Sequence, residues 1–353
     1  MPLPGPRVSF GPSGPPSSSL GPGDLEDLPQ GTLPLQGTLL TEMKAHTGPV
    51  FAVRFTASGD YCLSCGRDRT IRLWNPHRGL HIKCYNAHSH EVRSVDATAD
   101  HARFASCGVD RQLFFWDVAT GRTIRRFEGH NHPANVCRFA ASDYLIVSGG
   151  DDKAIKLWDT RAHSFQPVQH MAPFHDSVTS VAIPRGRPEI IGSSVDGTLR
   201  VFDVRRGLVT VDELGVPLVA VDAEGASSTV GGSGVLVAGL DSTVRLVDRP
   251  TGSLLQSFQG HVHTSVKLDC AWLPGDRYAT CGSEDGRVVV WDIVSGEPKL
   301  EWKAHDHGAV CAMDVRRGGH DDDDLGREAQ PLWTGETAKM ITSSTDGSIR
   351  LWT

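Results

Sequence analysis

The sequence predicts an all-β fold, a seven-bladed β-propeller closed by its own N-terminal strand, on three observations. A unit that ends in Trp-Asp or a worn copy of it returns seven times. Each unit carries the alternation and turn residues of four short strands. The chain stops one strand short of a complete final unit, and a strand of suitable pattern stands before the first.

The repeat is plainest in SCGRDRTIRLWN (64–75), SCGVDRQLFFWD (106–117) and SGGDDKAIKLWD (148–159). Weaker copies follow as GSSVDGTLRVFD (192–203), VAGLDSTVRLVD (237–248), CGSEDGRVVVWD (281–292) and TSSTDGSIRLW (342–352). Their aligned Asp residues are 68, 110, 152, 196, 241, 285 and 346, so the first five intervals are 42, 42, 44, 45 and 44 residues. A period in this range with a Trp-Asp ending marks a propeller blade.

Within a unit, VFAVRF (50–55) alternates like a strand and YCLSC (61–65) follows a Gly-Asp turn. The Asp-bearing turn leads into TIRLW (70–74), and a further turn precedes an outer strand such as TIRRFEGH (123–130). One such sheet cannot bury both of its faces, so the seven must pack side by side. Trp352-Thr353 ends the chain after the third strand of the seventh unit. The missing outer strand is expected from LQGTLLTEMKAH (35–46), which closes the ring without a free edge.

The propeller is thus expected over 35–353, with two additions. The last interval is 61 residues, and its excess, RRGGHDDDDLGREAQPLWTG (316–335), falls between the first and second strands of blade seven. Its Asp run reads as a solvated loop or as a lure for a basic partner. Residues 1–34 are dominated by Pro, Gly and Ser and are expected to be a disordered arm, either a plain extension or a docking segment.

Composition narrows the function. With net charge −7 and a pI near 6.1, the chain lacks the basic stripe of a dedicated nucleic-acid binder, so no sequence-specific nucleic-acid contact is expected. Of eight cysteines, one CxxC pair, Cys62 and Cys65, has no second pair to complete a zinc site. They read as small apolar strand residues, and free thiols at this density point to a reducing compartment. There is no apolar run long enough for a membrane span and no secretory pattern. The expectation is a nuclear and cytoplasmic protein, free of membrane, metal and cofactor, a monomeric ring within larger complexes.

His46, Ser64 and Asp68 are the residue types of a hydrolase triad, and Trp74 follows the Asp by six. The set recurs as His88, Ser106, Asp110, Trp116 and as His130, Ser148, Asp152, Trp158, with His and Asp always 22 apart. A catalyst needs one nucleophile beside one oxyanion site, so repetition marks a structural part and no catalytic residue is expected. These residues resemble the WD40 family, in which His, Ser or Thr, Asp and Trp form a hydrogen-bonded tetrad within a blade. The resemblance implies a further tetrad of His305, Thr342, Asp346 and Trp352. It also implies worn blades: His261, Asp285 and Trp291 with Cys281 at the hydroxyl position; His175, Asp196 and Phe202 with Gly192; and Asp241 with Val237 and Val247. The ring should be least rigid around blades four and five.

The same resemblance implies a partner-binding top face. It places Phe51, Glu91, Arg93 and Asn135 there, three or five residues after the early histidines, with Arg67, Asp151 and Glu284 just before the aligned Asp. Charge mixed with an exposed aromatic suits a protein hot spot. On the opposite face WDTR (158–161) and FDVR (202–205) resemble the motif by which propeller receptors dock on the cullin-4 ligase adaptor, making Arg161 and Arg205 candidate contacts. Finally, YCLSCGRDRTIRLWNPHRG (61–79), GSSVDGTLRVFDVRRG (192–207), LDSTVRLVDRPTGSLL (240–255) and SVKLDC (265–270) resemble the mitogen-activated protein kinase organizer family of WD-repeat scaffolds. That resemblance, over roughly 40–315, implies a non-catalytic scaffold associated with the catalytic-stage spliceosome in pre-mRNA splicing. Its alternatives are a scaffold for mitogen-activated protein kinase cascade components and a substrate receptor of a cullin-4 ligase.

Overall fold

The computed structural model describes residues 33–140, 143–184, 187–223, 233–316 and 338–353. Most of the expected arm (1–34) and of the Asp-rich insertion (316–335) lies outside the described residues. The described residues form seven four-stranded antiparallel sheets, each numbered in chain order from its inner strand outwards. Blade one comprises Val50–Phe55, Cys62–Gly66, Ile71–Asn75 and Leu80–Tyr85. Blades two to six repeat this order up to Pro298–Lys303.

Blade seven takes Val310–Arg316, Lys339–Ser344 and Ser348–Trp352 from the C-terminus and its outer strand, Leu39–Lys44, from the N-terminus. Leu39 stands opposite Trp352 and Lys44 opposite Ser348, and the carboxylate of Glu42 meets Arg350 at 3.0 Å. Every blade therefore has a full complement of strands and the ring has no seam.

Burial shows why seven sheets stand together. The core divides into seven apolar clusters, one at each blade-to-blade interface. Leu63, Ile71, Tyr85, Phe104 and Trp116 join blades one and two. Met43, Val53, Trp74, Ile341 and Leu351 join blades seven and one, completing the circle. A fully buried aliphatic or aromatic side chain contributes about 1.5–3 kcal/mol. No blade could keep that contribution alone, because each cluster needs two.

Cys62 belongs to the cluster shared with blade seven and Cys65 to the one shared with blade two. The pair therefore faces opposite sides of one strand and cannot meet on one ion. Burial pushes both thiols far above the ordinary range, so they behave as apolar filler.

One irregularity recurs. At the second residue of the inner strand, the register to the next strand slips in six blades, leaving Phe51, Arg93, Asn135, Thr179, Val219 and Cys311 unpaired. A bulge re-aims the side chain it carries. Three of these six are residues that the resemblance places on the top face.

Candidate protein-interaction face and the tetrads beneath it

The connections from outer to inner strand and from second to third strand emerge at one end of the ring. In blade one, His46 precedes the inner strand, Ser64 lies on the second, Asp68 in the following turn and Trp74 on the third. His46 Nδ1 lies 2.9 Å from Asp68, His46 Nε2 lies 2.8 Å from Ser64 Oγ, and the Trp74 indole N–H donates to Ser64 Oγ at 3.0 Å. Blade two repeats this with His88–Asp110 at 2.7 Å, His88–Ser106 at 2.8 Å and Trp116–Ser106 at 2.9 Å. Blade three does so with His130–Asp152 at 2.9 Å, His130–Ser148 at 2.7 Å and Trp158–Ser148 at 2.8 Å.

Donors and acceptors fix the protonation. The indole N–H can only donate, so the Ser oxygen accepts it and gives its own proton to His Nε2. The imidazole is then neutral, and its Nδ1–H donates to the Asp carboxylate. Burial alone would raise the Asp68 and Asp152 carboxyls. The hydrogen bond from the His, aided by Thr70 in one blade and Lys156 in the other, holds them well below the usual range. The three Ser side chains are wholly buried, with their oxygens already engaged. A nucleophile in that position reaches no substrate, so the triad-like set works as polar mortar.

Blade seven modifies the pattern. His305 Nε2 meets Thr342 Oγ1 at 2.9 Å and Trp352 donates to the same oxygen at 2.9 Å. Asp346 stands 3.4 Å from His305, and Ser348 bridges them, 2.9 Å from His305 Nδ1 and 2.6 Å from Asp346.

Blade four departs from the sequence-based assignment. His175 is exposed and only its backbone N–H reaches Asp196, at 2.8 Å, as the N–H of Ser89 reaches Asp110 in blade two. The residue 22 before Asp196 is Phe174, which is buried against Phe202 and takes the imidazole's place. The Arg200 guanidinium covers its ring at 5.0 Å. In blade five, Val237 and Val247 pack with Leu214 and Val216, an aliphatic replacement for the polar set apart from Asp241, which pairs with Arg245 at 2.5 Å. In blade six, His261 is buried edge-on against Trp291, yet neither of its ring nitrogens has a partner among the described residues. Trp291 donates instead to the Gln259 carbonyl at 2.8 Å, and Asp285 turns to Arg287 at 2.6 Å.

Above the tetrads, the candidate face residues of blades one to three interlock. Arg67 of blade one pairs with Glu91 at 3.2 Å, in the connection entering blade two. Arg93 of blade two bonds Asn135 of blade three and lies 3.3 Å from Asp151. Asn135 in turn donates to Asp151 at 2.7 Å and to the Val178 carbonyl of blade four at 3.0 Å. Phe51 at the same end is half-buried rather than exposed as expected, because the strand that carries it packs into the ring. Glu284 does not join them. Its carboxylate accepts the backbone N–H groups of Thr264, Ser265 and Val266 at 2.5–2.9 Å, stapling its own loop. Burial opposes its ionisation, but those three N–H groups overcome it and bring the carboxyl down to about 2.

At the opposite end Arg161 is engaged. Its guanidinium grips Asp159 at 3.2 Å through two nitrogens and lies over Tyr144, 3.5 Å from the ring centre. Arg205 is exposed.

Two recurring devices escaped sequence reading. Asp96, Asp222 and Asp314, each fifth in its inner strand, accept the backbone N–H of Phe139, Trp272 and Phe55 in the next blade at 2.7–3.0 Å. They bracket neighbouring blades together, and the shared position was the available signal. A cation four residues after the aligned Asp, as in Arg72, Lys156 and Arg245, closes onto that carboxylate at 2.5–3.3 Å.

The family described as WD domain, G-beta repeat matches residues 37–75, 79–117, 121–159, 165–203 and 252–292. Each match starts just ahead of the outer strand of one blade and ends on the third strand of the next. The unmatched stretches contain worn blade five and interrupted blade seven. WD repeat domain-containing protein 83 of Rattus norvegicus is 50% identical over 253 residues, covering 72% of this chain and 78% of the relative. Its namesake in Homo sapiens is 47% identical over 249 residues, 70% and 77% of the two chains. An uncharacterized WD repeat-containing protein of Schizosaccharomyces pombe is 44% identical over 245 residues, 69% and 80%.

Proposed function

The chain belongs to the WD40-repeat family, and from that premise we propose that it is a non-catalytic scaffold whose tetrad-bearing end docks other proteins within assemblies of pre-mRNA splicing. The observation that carries the docking reading is the polar patch Arg67–Glu91 and Arg93–Asn135–Asp151. It spans blades one to three on turns held by buried tetrads. Side chains already fixed in place lose little freedom when a partner arrives, which is what a docking surface needs.

Splicing is favoured over kinase-cascade scaffolding because related chains occur in organisms as distant as Rattus norvegicus and Schizosaccharomyces pombe. Intron removal is common to eukaryotes, whereas the wiring of kinase modules varies between lineages. The alternative rests on resemblance to scaffolds of mitogen-activated protein kinase cascades. With Arg161 held by Asp159 and Tyr144, the ligase-receptor reading leans on Arg205 alone.

Affinity purification of the full chain with mass spectrometry tests the proposal, run beside an Arg93→Ala/Asp151→Ala variant. Splicing proteins are expected with the wild-type chain, from a nuclear pool, and depleted with the variant. Recovery of kinases without splicing proteins would reverse the order of the two readings. An unchanged set of partners in the variant would remove this end of the ring as the docking face.

A further inference from the structure

Deepening the platform reading, on which it rests, we propose that the turns of blades one to three form a basic arc that docks a carboxylate-rich protein segment. In all seven blades the residue after the aligned Asp adopts a left-handed backbone conformation. Blades four, six and seven place Gly197, Gly286 and Gly347 there, with φ of 81°, 85° and 87°, and blade five has Ser242 at 58°. Blades one to three instead place Arg69, Arg111 and Lys153, at 67°, 64° and 62°. Glycine takes this conformation freely and a long cationic side chain does not. Strain of this kind persists where the side chain has work to do.

The three cations are exposed on turns of one shape, closed by the bonds Arg69 N–H to Gly66, Arg111 N–H to Gly108 and Lys153 N–H to Gly150 at 3.2–3.3 Å. Arg111 also reaches the Asn131 carbonyl at 3.4 Å. Among the described residues, none of the three has a carboxylate within ion-pair distance. The acids nearby are taken: Asp68 by His46 and Arg72, Asp110 by His88, Asp152 by His130 and Lys156, Asp151 by Arg93, and Glu91 by Arg67. The aligned Asp residues face inwards, Glu91 and Asp151 are part-exposed but paired, and the three cations face out, on three consecutive blades of a chain whose net charge is −7.

A protein segment fits better than RNA. Single-stranded RNA binding couples cations with aromatic stacking platforms. Among the described residues, the exposed Tyr61 and Tyr144 lie in connections at the other end of the ring, and the exposed Phe165 lies on the rim beside the outer strand of blade two, its carbonyl accepting the Glu128 N–H at 3.2 Å.

The arc is tested with the full chain and Arg69→Gly/Arg111→Gly/Lys153→Gly. Glycine accepts these φ angles, so the variant should melt at or above the wild-type temperature. The probe is a fluorescent oligoglutamate peptide of about 15 residues, long enough in extended form to cross neighbouring blades. Fluorescence anisotropy should show binding by the wild type that weakens with salt, and a loss of about tenfold or more in the triple variant. Equal binding by both proteins, absence of binding by the wild type, or stronger binding of an oligouridylate than of the peptide would each overturn the arc. Purification separates the two readings. Identical partner sets for wild type and triple variant remove the arc and leave the platform standing, whereas a wild type without partners removes the platform and the arc with it.

Discussion

The ring of Phe174 lies against the bare Cα of Gly192. A β-carbon at position 192 would stand 3.0 Å from Phe174 Cζ and 2.7 Å from Ile155 Cδ1. Blades one to three carry Ser at this position beneath a His, so blade four has exchanged a polar pair for a flat apolar one of similar volume. Restoring the hydroxyl alone should therefore harm the protein. Gly192→Ser is expected to lower stability by about 1–3 kcal/mol through overpacking. A thermal melt equal to wild type would show that Phe174 moves aside freely and does not belong to the blade's core.

Phe174 also marks where reading the sequence stops. The seven units and their closing strand were legible because period, alternation and the unused 35–46 stretch survive even in worn blades. The slot in blade four was not. His175 draws the eye by its chemistry, while the constant offset of 22 to the aligned Asp falls on a phenylalanine, which has no chemistry to announce. The role of Glu284 was hidden for another reason. It depends on a loop curling back so that three N–H groups converge, and nothing in residues 264–266 signals that. The bulged positions and the brackets made by Asp96, Asp222 and Asp314 depend on strand register between blades, which a single repeat does not carry.

The tetrads make a prediction about cost. Ser106→Ala deletes the one atom that both His88 Nε2 and the Trp116 indole N–H use, leaving two buried polar groups unpaired. The expected loss is about 2–4 kcal/mol. Cys281→Ala, at the same position in blade six, breaks no such chain and should cost about 1 kcal/mol for a small cavity. Denaturant unfolding of the two variants decides the matter. Similar losses would mean that the hydroxyl contributes no more than its volume.

Blade six also sets the protein's response to acid. His261 is buried against Trp291 without a partner for either nitrogen among the described residues, and burial, helped by nearby His263, lowers its pKa to about 4. Burial lowers His263 and His130 as well. The folded state thus resists protonation that the unfolded chain accepts near pH 6.5. The stabilisation is complete above that value and is lost as pH falls towards 4, by about 3 kcal/mol for His261. The Asp68, Asp152 and Asp346 carboxyls, held low, act in the same sense but further down the scale, below the ordinary carboxylate pKa. Stability measured against pH should begin to fall below about 6.5, and His261→Phe should flatten the upper part of that fall. An unchanged curve in the variant would show that His261 is not the group that titrates.

Lys267 bears on the part of the ring that lacks complete tetrads. It lies just ahead of the inner strand of blade six, and its ammonium donates to the Thr179 carbonyl of blade four at 2.8 Å, passing over blade five. Blade five is the one with an all-aliphatic slot, where Val237 and Val247 stand in place of Ser and Trp. Thr179 continues the link, donating its hydroxyl to the Leu218 carbonyl of blade five at 2.9 Å. Blades four, five and six are thereby tied together without a tetrad between them, which offsets the lack of polar mortar there. Lys267→Met keeps the length of the side chain and removes the strap. A charged hydrogen bond of this kind contributes about 1.5–3 kcal/mol, partly cancelled by the cost of burying the ammonium, whose pKa burial pushes down. The change in global stability is therefore expected to be small and the local change large. Hydrogen exchange should quicken in the strands Val178–Ala182, Leu218–Asp222 and Cys270–Trp272 while those of blades one and two keep their protection. A uniform quickening around the ring, or none, would show that blade five holds its place through apolar packing alone.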